Sequence, residues 1–171
     1  IGGNTVNAAQ GAIILELGIH GIPVVLDPSV YGALGSGALG SYYVNGIESR
    51  DSYYYRRVYL GCVKGIDFLL SLPNCNGKIG TLGGSQGGAL SIVTSALDKR
   101  VAASAIYFPA LSDWEAYSQG RTGGWPHYFR NEANRTKEKL ATIRYYDAAN
   151  FARKLEAPVY FAYGYNDLTC G

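Results

Sequence analysis

A serine flanked by glycines is the residue in this sequence best suited to act as a nucleophile. Ser85 lies in the stretch GGSQGG (residues 83–88), which contains the pattern G-x-S-x-G from Gly83 to Gly87. A serine on a tight turn from a strand to a helix takes a strained backbone conformation, and small residues two positions before and after it let the two segments approach each other. The turn exposes the hydroxyl and directs the first N–H groups of the helix towards it. The pattern therefore predicts Ser85 as a nucleophile and the backbone N–H of Gln86 as an oxyanion donor. A glycine-rich turn that only packs a helix on a sheet is the alternative.

A serine hydroxyl needs a base to take its proton and an acid to orient that base. Asp167 is the best candidate for the acid, because it follows an apolar strand on a loop at the carboxyl edge of the predicted sheet, where ligands bind in such folds. The alternative is that Asp167 is only a turn residue. Asp98 and Asp113 are weaker candidates: Asp98 is typical of a solvated helix end, and Asp113 of an N-cap before Trp114.

The histidines do not complete this set. The chain has only His20 and His127, whereas this kind of nucleophile turn is followed along the chain by the acid and then by the histidine. His20 precedes the serine and His127 precedes Asp167. We interpret both as structural or pocket-rim residues, and we expect the catalytic histidine to lie beyond Gly171.

Alternating strand-like and helix-like segments must position these residues. Apolar runs predict strands at 22–26, 78–83, 101–108 and 158–163, and helical periodicity predicts helices at 7–18, 53–70, 86–97 and 147–155. Asp51 and Ser52 are predicted to cap the second helix. Residues 31–49 are predicted to form a long loop, and residues 111–144 a polar and aromatic excursion. The alternation indicates an α/β fold with a mostly parallel sheet and helices on both faces.

Composition narrows the class of protein. The chain is 47% hydrophobic and 16% charged, which is typical of a globular domain, and it lacks the run of about 20 apolar residues that would span a bilayer. Its 15 basic and 13 acidic residues give a net charge of +2, and their scatter argues against a nucleic-acid partner. The cysteines Cys62, Cys75 and Cys170 form no pattern typical of a metal site or a disulfide framework. We expect Cys62 to be buried on a helix, and we expect no metal or cofactor. The sequence gives no compartment.

The 171 residues contain no methionine, and we expect them to be a piece of a longer protein that forms one partial domain over 1–171. Within the excursion, the aromatic side chains at positions 114, 117, 125 and 128 have two open interpretations. Flat rings with polar edges suit stacking on sugars, and they equally suit a lid packed on itself.

Several segments resemble one enzyme family, the acetyl xylan esterase and cephalosporin-C deacetylase group (carbohydrate esterase family 7). They are GGSQGGAL (83–90), RDSYYYRRVYLG (50–61), DFLLSLP (67–73), YYDAANFA (145–152) and AYGYNDLTC (162–170). The resemblance covers nearly the whole chain. It implies an α/β-hydrolase fold that removes acetyl groups from xylan-derived sugars and related small esters without a metal. It also implies Ser85 as nucleophile, Asp167 as triad acid, Gln86 N–H in the oxyanion hole, a second oxyanion donor from a loop near the chain start, and assembly into rings of subunits.

Three functions follow as hypotheses. The first is a serine ester hydrolase acting through an acyl-enzyme on an acetylated saccharide or similar small ester. The second is a serine peptidase on the same fold. The third is a non-catalytic carbohydrate-binding module or an inert fragment, because the base histidine is missing from these residues.

Overall fold

The functional residues are positioned by a three-stranded parallel sheet. A computed structural model describes residues 8–23 and 25–170. The strands are β1 (Ile79–Gly84), β2 (Val101–Tyr107) and β3 (Val159–Ala162), in the order β1-β2-β3. Ile106, near the carboxyl end of the central strand β2, pairs with Gly83 of β1 and Phe161 of β3. The predicted strands at 78–83, 101–108 and 158–163 are therefore confirmed to within two residues.

Helices connect and cover these strands. They are α1 (Pro28–Ser36), α2 (Tyr54–Ser71), α3 (Gln86–Leu97), α4 (Lys137–Tyr146) and α5 (Ala148–Ala152). Short 3₁₀ helices cover Tyr42–Val44, Trp114–Gln119, Tyr128–Arg130 and Glu132–Asn134. The predicted helices at 53–70 and 86–97 are confirmed, and the one predicted at 147–155 is shorter. No helix in the described ranges is both long and apolar enough to cross a membrane.

Most of the secondary structure predicted before residue 50 is wrong, and in the described part of the helix predicted at 7–18 only residues 8 and 9 are helical. Residues 12–18, part of the predicted helix 7–18, have no regular secondary structure, and Asn7 lies outside the described residues. No strand forms in the described part of 22–26, and Val24 lies outside it. The predicted loop at 31–49 contains most of α1 and a 3₁₀ helix. The cause at α1 is local: the Asp27 side chain accepts the N–H of Ser29 and Pro28 takes the first helical position, so this pair begins a helix.

Helix α2 does not begin with the predicted caps. Its N-cap is Tyr53, which makes no side-chain capping bond. The Ser52 hydroxyl instead donates to the carbonyl of Gly46 at 3.1 Å. Tyr53 is buried, and its hydroxyl donates to the carbonyl of Tyr43 at 2.9 Å. Burial of this tyrosine therefore fixes the start of α2, and the prediction of Asp51 and Ser52 as caps is wrong.

The core lies between the sheet and helices α2 and α3. Buried side chains of α3 (Ala89, Ile92 and Val93) join Ile106 of β2 and Cys62 of α2 in one cluster, so the prediction for Cys62 is confirmed. Beneath the sheet, the Ser95 and Ser104 hydroxyls lie 2.6 Å apart, and each also pairs with the hydroxyl of Thr81. The opposite face of this three-stranded sheet carries Leu82 and Tyr160, which are 58% and 62% exposed.

Asp98 ends α3 but is not the solvated helix end that the sequence predicts. It is only 7% exposed, and its carboxylate accepts bonds from the backbone N–H and the guanidinium of Arg100. These hydrogen bonds lower the pKa of Asp98. Asp98 thus closes the end of α3 in an ion pair, which accounts for it without a catalytic role.

Hydrogen bonds to the carboxylate of Asp147 hold residues 111–144 against the rest of the fold. Its buried carboxylate accepts the backbone N–H groups of Asp113 (3.0 Å), Trp114 (2.9 Å) and Ala149 (2.9 Å). Asp113 occupies the N-cap position before Trp114, as the sequence predicts, but it has a φ of 51° and makes no side-chain capping bond. Its carboxylate pairs with Arg121 instead. The carboxylate of Asp147 therefore joins two chain segments, the start of the 3₁₀ helix at Trp114 and the first turn of α5.

Replacing Asp147 with alanine should lower the free energy of unfolding by about 2–4 kcal/mol, because buried N–H groups would lose their acceptor. Asp147→Asn keeps one acceptor oxygen and should cost less. Urea unfolding followed by tryptophan fluorescence measures both, with the exposed Asp51→Ala as the control. Equal stability of Asp147→Ala and Asp51→Ala would contradict this role.

Candidate functional site

Ser85 occupies a strained turn between β1 and α3. Its backbone has φ 51° and ψ −120°, a conformation that costs a residue other than glycine about 1–3 kcal/mol. Surrounding backbone holds it there: the Ser85 N–H donates to the carbonyl of Tyr107 at 3.0 Å, and its carbonyl accepts from Ala89 and Ala110 at 3.1 and 3.0 Å. The side chain is partly exposed. Ser85 therefore has the conformation and accessibility that the G-x-S-x-G pattern predicts.

The flanking glycines allow this turn because β1 and α3 approach very closely. A Cβ atom at Gly83 would lie 2.3 Å from the backbone of Gly87, and one at Gly88 would lie 2.9 Å from the carbonyl oxygen of Tyr107. Either distance is shorter than real Cβ contacts. Gly87 differs, since a Cβ there would meet nothing within 4 Å outside its own helix turn. The contact needs the absence of a side chain at Gly83.

Gln86 places an N–H group beside the nucleophile. It is the first residue of α3, so its backbone N–H has no acceptor within the helix. The first turn carries no acidic side chain, and the helix dipole favours negative charge at this end. A developing oxyanion next to Ser85 is the kind of charge this terminus stabilises.

Asp167 lies on the turn that follows β3. Its Oδ1 accepts the N–H groups of Thr169 at 2.8 Å and Cys170 at 2.9 Å. These bonds, that from Cys170 foremost, lower the pKa of the Asp167 carboxyl. Cys170 is buried, and its Sγ lies 3.6 Å from the Oγ of Ser85. The structure thus brings Asp167, the loop it organises and Ser85 to the same edge of the sheet.

Residues that the sequence does not predict at the site complete this edge. Cys170 contacts Ser85, and the N–H of Trp125 donates to the carbonyl of Thr169 at 2.7 Å, which fastens the excursion to the Asp167 loop. Tyr42 and Tyr55 bind the side chain of Gln86. Nothing in the spacing of these residues indicates their contacts, because they come from segments distant in sequence.

Both histidines bind tyrosines. Nδ1 of His20 lies 2.6 Å from the Tyr54 hydroxyl, and burial foremost lowers the pKa of His20. Nδ1 of His127 lies 2.7 Å from the Tyr117 hydroxyl. Within the described part of the chain neither histidine is hydrogen-bonded to Ser85 or Asp167, which agrees with a structural interpretation. The same residues contain no group of three His, Cys, Asp or Glu side chains arranged to hold a metal ion.

Trp114 cannot stack on a sugar, because it is 3% exposed and packs edge-on against Phe129. Tyr117, Trp125 and Tyr128 are partly exposed. For these three, both interpretations of the aromatic excursion stay open.

Comparisons with known proteins agree on one family. The profile of the acetyl xylan esterase (AXE1) family matches residues 6–171. Over 170 residues the chain is 44% identical to an acetyl esterase, Axe7A, of Xylanibacter ruminicola, and the match covers 98% of this chain and 39% of that protein.

Solved structures give the same result for the fold. An acetyl xylan esterase from Paenibacillus sp. R4 superposes with a TM-score of 0.67 and 29% identity, over 75% of this chain and 43% of that one. Acetyl xylan esterase 1 from Thermoanaerobacterium sp. JW/SL YS485 has a TM-score of 0.65 at 24% identity, over 76% of this chain and 44% of that one, and shows the fold alone. These likenesses confirm the predicted α/β-hydrolase fold. The chain spans about two fifths of the length of the relatives it matches.

Gly83→Ala should lower the free energy of unfolding by about 3 kcal/mol or displace the turn, because its Cβ would overlap the Gly87 backbone. Gly87→Ala is the matched control, since its Cβ meets open space, and it should cost less than about 1 kcal/mol. Thermal unfolding of both variants measures the difference. Equal stabilities would show that β1 and α3 are not held this close.

The pKa of Asp167 should lie below the value of about 3.9 found in unfolded chains, because two N–H bonds favour its charged form. The resulting stabilisation is present above the unfolded pKa and is lost as the pH falls through the folded one. Carboxyl carbon shifts in an NMR titration measure this pKa. Asp167→Asn is the control: it keeps an acceptor oxygen but has no carboxyl group, so the titrating signal of residue 167 should be absent from its spectra. A titration midpoint of Asp167 above about 4 would contradict the two N–H bonds to its carboxylate.

Proposed function

The chain belongs to the acetyl xylan esterase family, and on that premise we propose that it carries the nucleophile, the acid and one oxyanion donor of a serine ester hydrolase. The substrates proposed are xylan-derived saccharides or similar small esters that carry acetyl groups. The observation that supports this best is the partly exposed Ser85, strained at the start of α3, with the loop of Asp167 against it.

The proposed reaction has two halves. The Oγ of Ser85 attacks the acetyl carbonyl carbon while a histidine takes the hydroxyl proton, and the oxyanion that forms accepts a bond from the N–H of Gln86. When the tetrahedral intermediate collapses, the bond between the acetyl carbon and the sugar oxygen breaks. The histidine gives its proton to that oxygen, and the acetyl group stays on Ser85. Water then attacks the acetyl-serine by the same route and releases acetate.

Asp167 is proposed to orient the histidine. Both N–H groups of its own loop bind Oδ1, so Oδ2 is the oxygen proposed to accept the histidine N–H. His20 and His127 are held by tyrosine hydroxyls in this structure, and the base is therefore proposed to come from outside the 171 residues. The role requires a charged carboxylate, and the two N–H bonds that lower the pKa of Asp167 favour that form.

The competing function is non-catalytic binding of carbohydrate, proposed because both histidines of the described residues bind tyrosine hydroxyls and neither is hydrogen-bonded to Ser85 or Asp167. Fluorophosphonate labelling distinguishes the two functions. A longer protein that contains the complete triad should be labelled at Ser85, whereas residues 1–171 alone should be labelled poorly. Absence of labelling in both would favour binding without catalysis.

Ser85→Ala, made in the complete protein that carries this chain, should lower kcat for a small acetate ester by roughly 10⁴-fold or more. The fold should persist, because the backbone bonds of Ser85 do not involve its hydroxyl. Steady-state kinetics with circular dichroism measures both effects, and the exposed Ser118→Ala is the control. Unchanged turnover in Ser85→Ala would end the proposal.

A further inference from the structure

Two tyrosine hydroxyls from different elements hold the side chain of Gln86. Its Nε2 donates to Tyr42 Oη at 3.0 Å and to the hydroxyl of Tyr55, and its Oε1 accepts from the Tyr42 hydroxyl at 3.2 Å. Tyr42 begins the 3₁₀ helix Tyr42–Val44, and Tyr55 is in the first turn of α2. The residue after the nucleophile is thereby tied to two segments that lie more than thirty positions earlier in the chain.

These bonds are partly shielded from water. Tyr55 is 1% exposed and Tyr42 is half-buried. Burial raises the pKa of both hydroxyls above the ordinary tyrosine value. An amide left without partners in such surroundings costs about 1–3 kcal/mol. The two tyrosine hydroxyls therefore favour one position of the Gln86 side chain.

The position of the Gln86 side chain matters because the backbone of Gln86 directly follows Ser85, whose φ and ψ angles are strained. A conformation of this energy persists only when its surroundings fix it. Backbone bonds to Tyr107 and Ala110 fix Ser85 itself. On the helix side, the bond from the N–H of Ala89 to the Ser85 carbonyl and the contacts of the Gln86 side chain act together as the restraint. An oxyanion donor displaced by a fraction of an ångström loses much of its effect on the transition state.

We propose that Tyr42 and Tyr55 are positioning residues of the oxyanion hole, which act by anchoring the Gln86 side chain so that its backbone N–H keeps its direction. This inference rests on the proposed function. It gives the side chain of Gln86 a role in addition to that of its backbone N–H, the proposed oxyanion donor.

Tyr55→Phe in the complete protein tests the proposal, and Tyr59→Phe is its matched control. Tyr59 is also buried on α2, and its hydroxyl donates to the carbonyl of Tyr146 at 2.8 Å, away from Gln86. Tyr55→Phe should lower kcat about 10-fold with KM within about twofold, a fraction of what removal of an oxyanion donor costs. Affinity for a boronic acid that mimics the tetrahedral intermediate should fall by the same factor. Tyr59→Phe should lose similar thermal stability and keep its kcat.

A double-mutant cycle shows whether Tyr55 acts through Gln86. Gln86→Leu keeps the backbone N–H and removes the anchored amide, so it should lower kcat about as much as Tyr55→Phe, and the double variant should lose little more. Additive losses would overturn the proposal, as would a kcat of Tyr55→Phe equal to that of Tyr59→Phe while the unsubstituted protein hydrolyses acetate esters. No hydrolysis by the unsubstituted protein, with no fluorophosphonate labelling of Ser85, would overturn the proposed function and this role together.

Discussion

The close approach of β1 to α3 at Gly83 and Gly87 is the constraint on which the site depends. Only a residue without a Cβ fits at Gly83, because the added atom would lie 2.3 Å from the neighbouring backbone. The approach forces Ser85 into a conformation that its own side chain disfavours, and that conformation presents the hydroxyl beside the first N–H of α3. The strain is offset by the backbone bonds of Ser85 and by the buried contacts of α3 with the sheet.

The same edge of the sheet is fastened by a short series of backbone bonds. Tyr107 accepts from Ser85, and Phe108 donates to the carbonyl of Ala162, so the carboxyl ends of all three strands are linked one residue beyond the ladder. Asp167 then folds the next loop back by accepting two N–H groups, which brings Cys170 to Ser85. Parallel strands make this convergence possible because all of them end on one side.

Tyrosine hydroxyls supply much of the remaining polar organisation. They bind Gln86, His20 and His127, and they join α2 to the carbonyl of Tyr146. A tyrosine contributes a large apolar ring and a single polar end, so it can fill a core and satisfy one buried group at once. This accounts for the buried tyrosines of α2 as core residues. Tyr42 and Tyr55 also contact Gln86, the residue after the proposed nucleophile.

Signals between neighbouring residues are enough to predict the three strands, α2, α3 and the serine turn, in which the glycine at position 83 is a steric requirement. The sequence also indicated Asp167, from its place after β3. The other features depend on contacts between segments that are distant in sequence. Residues 12–18 have helical spacing but no regular structure, and the side chains of Leu15 and Leu17 lie against Gly65 of α2. Buried Tyr53, rather than a polar cap, sets the start of α2, and the contacts of Cys170 and of the tyrosines around Gln86 join segments far apart in sequence. Packing energies between such segments leave no periodic trace, because they depend on which faces meet once the chain has folded.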